Sequence, residues 1–478
     1  MNSDRPNFVL FMPETLRADA VFGPRRHRAC TPNLDRLKDE GAAFTNCFAQ
    51  MAFCSPSRCG MFTGLYPHTR GHRSLLALLK PDETNLFGEL KAAGYRNLVF
   101  GKNDLLAQES IPRCFDEWEP RFEGEKPSDY QAPPPPEGSR WQQTFYRGRR
   151  EHEDCRDRDW RYVQSALQFL DESHKSPFCL YLPFSFAHPP YQVEEPYFSM
   201  HRLEDIPRPI PAEVTGKRGY LKALRRAYGM DALSQDDLCE IKRVYFGMVS
   251  RVDHQLGLLV DKLKARGLYD NTVIAVFSDH GDYAGDFGMV EKFVTGFEDC
   301  LLHVPLVLRG PGIRGDAEHG GLCEMTDLFP TLLELAGLDV SPHQFGASLG
   351  PRLRGEIGAG RDAVFAEGGH LPHEVERFHV QLPGQSPYRP MYDLFSAQPS
   401  LAGRAMMVRT ERWKYVYAPY DRDELYDLAD DLRELDNLAT DSAYEPVVCR
   451  LRERLLRWLL DTADVLPAER DPRKWMSE

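Results

Sequence analysis

The residues best suited to chemistry lie in one short stretch, CSPSRCGMFTG, at positions 54–64. Its first cysteine, Cys54, has four roles open to it: a buried structural thiol, a disulfide partner, a metal ligand or a nucleophile. Ser55 is suited to cap a helix, and Pro56 suits the first turn of that helix. Cys54 is then predicted near the positive end of the helix, beside Arg58. Such a setting lowers the pKa of a thiol and attracts anions, which favours a reactive role over a structural one.

Acidic side chains follow two of the predicted strands. The apolar run FVLFM leads into Glu14, and TVIAVFS leads directly into Asp279 and His280, with Gly281 allowing a sharp turn after them. Ligands of open parallel sheets bind outside the carboxyl ends of the strands. One acidic strand end is often only a helix cap. Two such ends, together with Cys54, favour a ligand-binding or catalytic site.

Short apolar runs alternate with helical patterns as far as residue 337. The predicted buried strands are FVLFM (8–12), RNLVF (96–100), FCLYLPFS (178–185), TVIAVFS (272–278) and PLVLR (305–309). The predicted helices include residues 33–41, 85–94, 237–267 and 326–337. This alternation predicts an α/β fold with a mostly parallel sheet sandwiched by helices.

Two polar, proline-rich excursions interrupt that alternation. Residues 104–160 contain PPPPEG (133–138) and RGRR (147–150), and residues 190–225 form a second excursion. The first is predicted to be either a lid over the site or a surface insertion without a role.

The character of the chain changes again after about residue 358. Strand-like segments are followed by a helical pattern, which predicts a smaller α+β subdomain with an antiparallel sheet. The segments are AVFAEGG (363–369), AMMVRTERWKYVYAP (405–419), DELYDL (423–428) and the helix at 445–464. The predicted domains are therefore 1–358 and 359–478.

The composition indicates a globular protein. Its 11 cysteines are odd in number and follow no short repeating spacing, which favours a reducing compartment over a disulfide framework. The N-terminus, MNSDRPNFVLFM, lacks a signal-peptide core, and no stretch approaches a membrane span. We therefore expect a cytoplasmic protein without a membrane partner. The formal net charge of −13 argues against a nucleic-acid partner, although converging cations can still bind an anion. Homo-oligomerisation stays open.

The stretch from Cys54 to Gly64 matches, at every fixed position, the pattern C-x-P-S-R-x-x-x-x-T-G of the type I sulfatases. The chain thus resembles a formylglycine-dependent sulfatase of the alkaline-phosphatase superfamily. Further segments carry the resemblance: TPNLDRLKDEGAAFTNCFA (31–49), GLYPHTRGH (64–72), LKAAGYRNLVFGK (90–102), FAHPPY (186–191), FSDHGDYAGDFGMVEK (277–292), VPLVLRGPG (304–312), DLFPTLLELAG (327–337), GASL (346–349) and ELYDLADD (424–431). It implies a large alkaline-phosphatase-like domain and a smaller C-terminal subdomain.

The resemblance implies that Cys54 is a precursor. In the family, a formylglycine-generating enzyme, which is the implied protein partner, oxidises this cysteine to Cα-formylglycine. One hydroxyl of the hydrated aldehyde attacks sulfur, and the other later expels sulfate. Arg58 belongs to the recognised signature and is implied to hold the side chain and the charge of the metal site. Cys59 lacks the Pro-x-Arg context and is expected to stay a thiol.

The resemblance also implies one divalent cation, held by Glu14, Cys54 as formylglycine, Asp279 and His280. Hard oxygen ligands favour calcium, whereas the imidazole leaves manganese, iron or zinc open. Such an ion acts as a Lewis acid on the ester oxygens. Glu14 is one methylene longer than the aspartate usual in the family, so the identity of the ion is open.

Lys102, His188 and Lys292 match the positions that contact the substrate anion and the leaving group in the family. The ordinary pKa of a histidine, about 6.5, suits His188 to proton donation. Asp104 stands where the family usually has a histidine that assists sulfate expulsion, and it is the candidate base, with another group as the alternative.

Three functions stay open at this point. The first is hydrolysis of a sulfate ester of a small polar alcohol such as a sugar, with a small anionic sulfated substrate as partner. The second is hydrolysis of a phosphonate or phosphate monoester on the same scaffold, because tetrahedral anions share the pocket. The third is non-catalytic binding of an anion or a metal.

Recognition of the alcohol is predicted for His72, His370 and Arg147. Guanidinium groups pair bidentately with carboxylates, so Arg147, together with Arg149 and Arg150, would suit a uronate on the substrate. The alternative is that the RGRR run is a solvated surface segment.

Overall fold

The structure of the protein is a computed structural model, which describes residues 5–121, 134–150, 157–356, 360–375 and 386–466. The predicted domain boundary at 358/359 lies outside these residues and stays a prediction. Parts of the first excursion, residues 122–133 and 151–156, also lie outside them. Among the described helices, none combines the length and the apolar character that a bilayer crossing requires.

The strands of the described residues fall into three sheets. They are β1 (Asn7–Pro13), β2 (Ala42–Phe48), β3 (Arg96–Val99), β4 (Tyr146–Arg149), β5 (Phe178–Phe184), β6 (Tyr191–Val193), β7 (Thr272–Phe277), β8 (His303–Arg309), β9 (Ala317–His319), β10 (Cys323–Glu324), β11 (Val364–Gly368), β12 (Ala405–Arg409), β13 (Trp413–Tyr417) and β14 (Glu424–Asp427). The largest sheet has the order β10-β2-β8-β7-β1-β5-β3, with β9 also paired to β2. It is mostly parallel, but β8 runs antiparallel to both β7 and β2.

Apolar residues on both faces make β1 a central strand. All of β1 is buried, and it pairs in parallel with β5 and β7, so that Phe11 lies opposite Leu182 and Val276. A strand covered on both faces needs this continuous apolar run. Because β1 and β7 run side by side in the same direction, Glu14 and Asp279 emerge at the same edge of the sheet.

The helices of the described residues pack around the sheets. They are α1 (Pro32–Glu40), α2 (Cys54–Thr63), α3 (Pro67–Arg70), α4 (Leu86–Ala92), α5 (Ile111–Cys114), α6 (Arg158–Leu170), α7 (Gly219–Ala227), α8 (Gln235–Ala265), α9 (Asp299–Leu302), α10 (Leu328–Leu335), α11 (Gly350–Leu353), α12 (Arg389–Ala397) and α13 (Glu445–Asp461). The longest, α8, begins with a capping box between Ser234 and Asp237, which satisfies backbone N–H groups at its first turn.

The C-terminal region forms the predicted antiparallel sheet, in the order β11-β12-β13-β14. Leu455 and Trp458 of α13 pack against this sheet in a second apolar core. Tyr66, from the segment after α2, joins that core and stacks edge-on against Trp458. The predicted fold class, an α/β sheet sandwiched by helices with a smaller antiparallel α+β part, is confirmed.

The RGRR run is packed structure rather than a uniformly solvated segment. Residues 146–149 form β4, which pairs with β6. Arg150 is buried, and its Nη1 donates to Asp157 Oδ2 at 2.7 Å. Arg251 of α8 donates to the same Asp157 and, from Nε at 2.7 Å, to Glu194. Two buried guanidinium groups therefore compensate two buried carboxylates, which unpaired would be costly.

We predict that Arg251→Met lowers the free energy of unfolding by about 3 kcal/mol or more, because Asp157 and Glu194 lose a buried partner. Urea denaturation followed by circular dichroism measures the change. Arg149→Met is the matched control, since Arg149 is 59% exposed and lies 3.8 Å from Glu195. The same midpoint for both variants would show that the buried network adds no stability.

Candidate active site

Four side chains converge beyond the ends of β1 and β7. Glu14, Cys54, Asp279 and His280 each offer one ligand atom, and these atoms all lie within 4.8 Å of one another. All four side chains are buried. The fold thus brings together the metal-ligand set that the resemblance implied.

The helix with the signature stretch begins at Cys54 itself. Phe53 is the N-cap of α2 and no side chain caps the helix, so the prediction that Ser55 does so is wrong. Ser57 instead donates from Oγ to the backbone carbonyl of Asp279 at 2.6 Å. This bond ties the first turn of α2 to the end of β7 and fixes the position of residue 54 against the two strand ends.

The surroundings of Cys54 disfavour a thiolate. Burial and the carboxylate of Glu14 raise the pKa of the thiol well above its ordinary value, and Sγ donates to Glu14 Oε1 at 2.8 Å. The predicted lowering of this pKa by Arg58 is therefore wrong, because Arg58 Nε donates to Asp279 Oδ2 at 2.9 Å. An unmodified thiol held in this way is a poor nucleophile.

Glu14 and Asp279 share one buried guanidinium group. Arg58 Nη2 lies 3.5 Å from Glu14 Oε2, while its Nε binds Asp279. Burial opposes the ionisation of Glu14, but the surrounding cations, Lys102 first, hold its pKa well below its ordinary value. Glu14 is therefore a carboxylate at neutral pH and can act as a ligand.

His280 is oriented by its backbone neighbour. Its Nδ1 donates to the carbonyl of Gly281 at 2.8 Å, which leaves Nε2 facing Cys54 Sγ at 3.3 Å. Burial lowers the pKa of His280 to about 4, so the ring is neutral at pH 7, as a metal ligand must be. Gly281 serves close packing rather than a left-handed turn, because a Cβ there would lie 2.0 Å from the carbonyl oxygen of Cys300.

This donor set fits a divalent cation. Two carboxylates and one imidazole nitrogen surround a small volume, and residue 54 completes it. Oxygen-rich sets suit calcium, and a mixed oxygen and nitrogen set also suits manganese, iron or zinc.

Basic side chains also lie next to the four metal-ligand residues. Lys102 Nζ donates to both oxygens of Glu14, at 2.9 and 3.1 Å. His188 donates from Nδ1 to the carbonyl of Pro189 at 2.7 Å. Its Nε2 lies 2.7 Å from Lys292 Nζ, from which it accepts a hydrogen bond when neutral.

Asp104 lies 2.8 Å from Lys102 Nζ. The candidate base thus contacts the centre through that lysine, and Lys102 stands between the carboxylates of Asp104 and Glu14. Asp104 is at the edge of the site rather than among the four converging ligand atoms.

Two further residues of the site, Glu291 and Tyr388, are not predicted from the sequence. Glu291 lies 3.1 Å from His188 Nε2 and accepts from Lys292 Nζ at 2.9 Å. Tyr388, which precedes α12, donates to Glu291 Oε1. The position of Glu291 next to Lys292 in the sequence could have identified it, but nothing local points to Tyr388.

The three residues predicted to recognise the alcohol lie in different places. His72 uses both ring nitrogens, at 2.7 Å from the carbonyl of Ala77 and 2.8 Å from Glu83. Arg147 donates to the carbonyl of Tyr146. His370 lines a small apolar recess beside Phe53, the residue before Cys54. Of the three, His370 is thus placed near the helix start that carries Cys54.

A polar cavity of about 300 Å³ opens onto Glu14, Lys102 and His188. Its other walls are formed mainly by polar and charged side chains of the segments around α6 and β6. They are Arg150, Asp157, Arg158, Asp159, Ser185, Phe186, Pro189, Pro190 and Gln192. The cavity is large enough for a small polar group attached to a bound anion.

The chain is similar both to sulfatases and to a phosphonate monoester hydrolase. The sulfatase family model matches residues 6–338. A multifunctional alkaline phosphatase superfamily protein of Trinickia caryophylli is 28% identical, over 96% of this chain and 96% of that protein. A choline-sulfatase of Rhizobium meliloti is 24% identical, over 100% of this chain and 91% of that protein. The crystal structure of a phosphonate monoester hydrolase of Agrobacterium radiobacter superposes with a TM-score of 0.74 at 26% identity, covering 96% of each chain.

We predict that Asp279→Asn reduces the bound divalent metal at least about tenfold, because one charged ligand is lost. Elemental analysis of the purified protein measures it. Asp104→Asn is the matched control: it removes a nearby carboxylate that is not among the four converging ligands, and should leave the metal content unchanged. Unchanged metal in Asp279→Asn would refute the ligand assignment.

Proposed function

This chain belongs to the sulfatase family, a family of sulfuric ester hydrolases, and we propose that it hydrolyses the sulfate ester of a small polar alcohol. The proposal includes one divalent cation held by Glu14, Asp279, His280 and residue 54. It also includes conversion of Cys54 to Cα-formylglycine by a formylglycine-generating enzyme. Calcium is the proposed ion, with manganese, iron or zinc as alternatives.

The proposal is supported above all by one observation: the cysteine of the complete sulfatase signature lies within one buried group of metal-ligand residues. Cys54 stands at the start of α2, and the ligand atoms of Glu14, Asp279 and His280 lie within 4.8 Å of its sulfur and of one another. Its thiol is held protonated by burial and Glu14. A site that keeps the thiol of Cys54 protonated and surrounds it with the metal-ligand set favours a modified residue 54.

When bound, the cation supplies Lewis acidity to the ester oxygens, and the modified residue supplies a hydroxyl nucleophile. The chain's own residues orient these groups. Arg58 holds the carboxylate of Asp279 from Nε, and Ser57 fixes the backbone at the same point. Because Arg58 is fully buried, it keeps both ligand carboxylates in place without exposure to water.

Lys102, Lys292 and His188 are the proposed contacts of the substrate anion. Lys102 lines the polar cavity, and Lys292 Nζ lies 2.7 Å from Nε2 of His188, which lines it too, so both ammonium groups can bind the non-bridging oxygens of the ester. His188 presents Nε2 to this space because its Nδ1 donates to the carbonyl of Pro189. Burial and Lys292 lower the pKa of His188, but Glu291 and Glu14 raise it overall, and the proton that the charged ring carries at Nε2 can pass to the departing alcohol oxygen. Asp104, beside Lys102, is the proposed proton acceptor.

The cavity supports a small polar alcohol. Its volume of about 300 Å³ admits a group of roughly monosaccharide size, and polar and charged side chains form much of its wall. His72, His370 and Arg147 stay the predicted further contacts. The bonds of His72 to Ala77 and Glu83 favour a supporting role for it over direct contact.

Hydrolysis of a phosphonate monoester is the second candidate. It is favoured by the match to the phosphonate monoester hydrolase of Agrobacterium radiobacter, which extends over 96% of both chains. An ester of that kind, like a sulfate ester, carries a single negative charge on a tetrahedral centre, so the same cations can bind it.

We predict that Cys54 is converted to formylglycine in a host that holds the modifying enzyme. Mass spectrometry of the peptide that contains Cys54 should show an aldehyde in place of the thiol, and the specific activity should rise in proportion to the converted fraction. Cys59 is the internal control and should stay a thiol. Full activity in protein whose Cys54 is entirely unmodified would contradict the assignment.

We predict that the converted enzyme cleaves a nitrophenyl sulfate at least about tenfold faster, by kcat/KM, than the matching nitrophenyl phenylphosphonate. Because the leaving group is the same in both esters, the ratio reports on recognition of the anion. The reverse ratio would favour the second candidate. Failure to cleave either ester, in protein with formylglycine and bound metal, would contradict both.

A further inference from the structure

A third carboxylate lies inside the cluster that is proposed to bind the substrate anion. Glu291 is buried, and its Oε1 and Oε2 accept from Lys292 Nζ at 3.1 and 2.9 Å. The same Oε1 lies 3.1 Å from His188 Nε2. The carboxylate that accepts these hydrogen bonds from Lys292 Nζ is therefore that of Glu291, and not that of Glu14 or Asp279.

Glu291 is held firmly in this position. Its backbone N–H donates to Tyr191 at 2.9 Å, and its carbonyl accepts from the N–H of Tyr283 at 2.9 Å. Tyr388 donates to the side chain. The residue has a φ of 64°, in the left-handed region that glycine prefers, at a cost of about 1 kcal/mol or more for a non-glycine residue. A glutamate kept at such a position, with these three tyrosine contacts, favours a role for its charge.

The charge of Glu291 offsets that of Lys292. A lysine facing a carboxylate at 2.9 Å attracts an incoming anion less than a free lysine does, and the carboxylate itself repels the anion. Repulsion by one fixed charge is twice as large for a doubly charged anion as for a singly charged one. The penalty therefore falls more heavily on doubly charged ligands of the same shape.

We propose that Glu291 is a specificity-determining residue, which adjusts the pocket to singly charged esters and against doubly charged anions. Sulfate monoesters and phosphonate monoesters fall in the favoured class. Phosphate monoesters at neutral pH and the product, inorganic sulfate, fall in the disfavoured class, so the same charge promotes product release. The inference rests on the proposed function for the location of the anion pocket, but not on turnover.

Binding of methyl sulfate and of inorganic sulfate provides the test, because the two anions are similar in shape and differ by one charge. Isothermal titration at pH 7.5 is carried out on the metal-loaded protein with Cys54 unmodified, so that neither probe is hydrolysed. The variants are Glu291→Gln, which keeps the shape and hydrogen-bonding capacity, and Glu291→Gly, which suits the left-handed backbone and keeps the test available if the first variant does not fold. Tyr388→Phe is the control that removes a contact of Glu291 but keeps the charge.

In both Glu291 variants, we expect the affinity for sulfate to increase relative to that for methyl sulfate by about tenfold. Tyr388→Phe should leave the ratio as in the parent. If Glu291 had only a structural role, its replacement would weaken the binding of both anions by the same factor. An unchanged ratio of the two affinities would therefore overturn the inference, while the proposed hydrolysis would stay intact. Binding of neither anion by the parent would overturn both the pocket and the inference.

Discussion

The carboxylates of Glu14 and Asp279 are buried next to each other, and the architecture of the site follows from the need to pair them with cations. Isolated carboxylates in a protein interior are strongly destabilising, and they persist only when paired and hydrogen-bonded. Arg58, fully buried between them, supplies a shared charge, and Lys102 adds a second charge to Glu14. These positions require α2 to begin where β1 and β7 end, so the sheet, the helix start and the site form one unit.

Backbone strain is concentrated at the same place. Seven non-glycine residues in the described part of the chain have positive φ, and four of them lie on the two segments that follow β1 and β7. They are Thr15, Ala284, Phe287 and Glu291. Each such residue costs about 1 kcal/mol or more, which packing elsewhere must offset. The large parallel sheet and its buried apolar strands provide that packing and hold the strained segments in one geometry.

Much of this arrangement could be predicted from the sequence because its causes are local. The apolar runs of β1 and β7 predict buried strands of a mostly parallel sheet, and the common direction of such strands brings Glu14, Asp279 and His280 to one edge. What could not be predicted depends on contacts between distant segments. Arg58 turns to Asp279 instead of Cys54, Arg150 joins a buried network with α8, and Tyr388 reaches Glu291 across 97 residues of sequence. The pKa of Cys54 was mispredicted for this reason, since a helix end and an arginine favour a thiolate only when no carboxylate lies closer.

The central claim is that residue 54 is the nucleophile of an ester hydrolase, and covalent trapping tests it most directly. In a Cys54→Ser variant the substituted hydroxyl can attack the ester, but it has no second hydroxyl to expel the product. After incubation with a nitrophenyl sulfate, we expect one equivalent of nitrophenol and a single sulfo group on residue 54, located by peptide mass spectrometry. Continuous turnover by this variant, or a sulfo group on any other residue, would contradict the account.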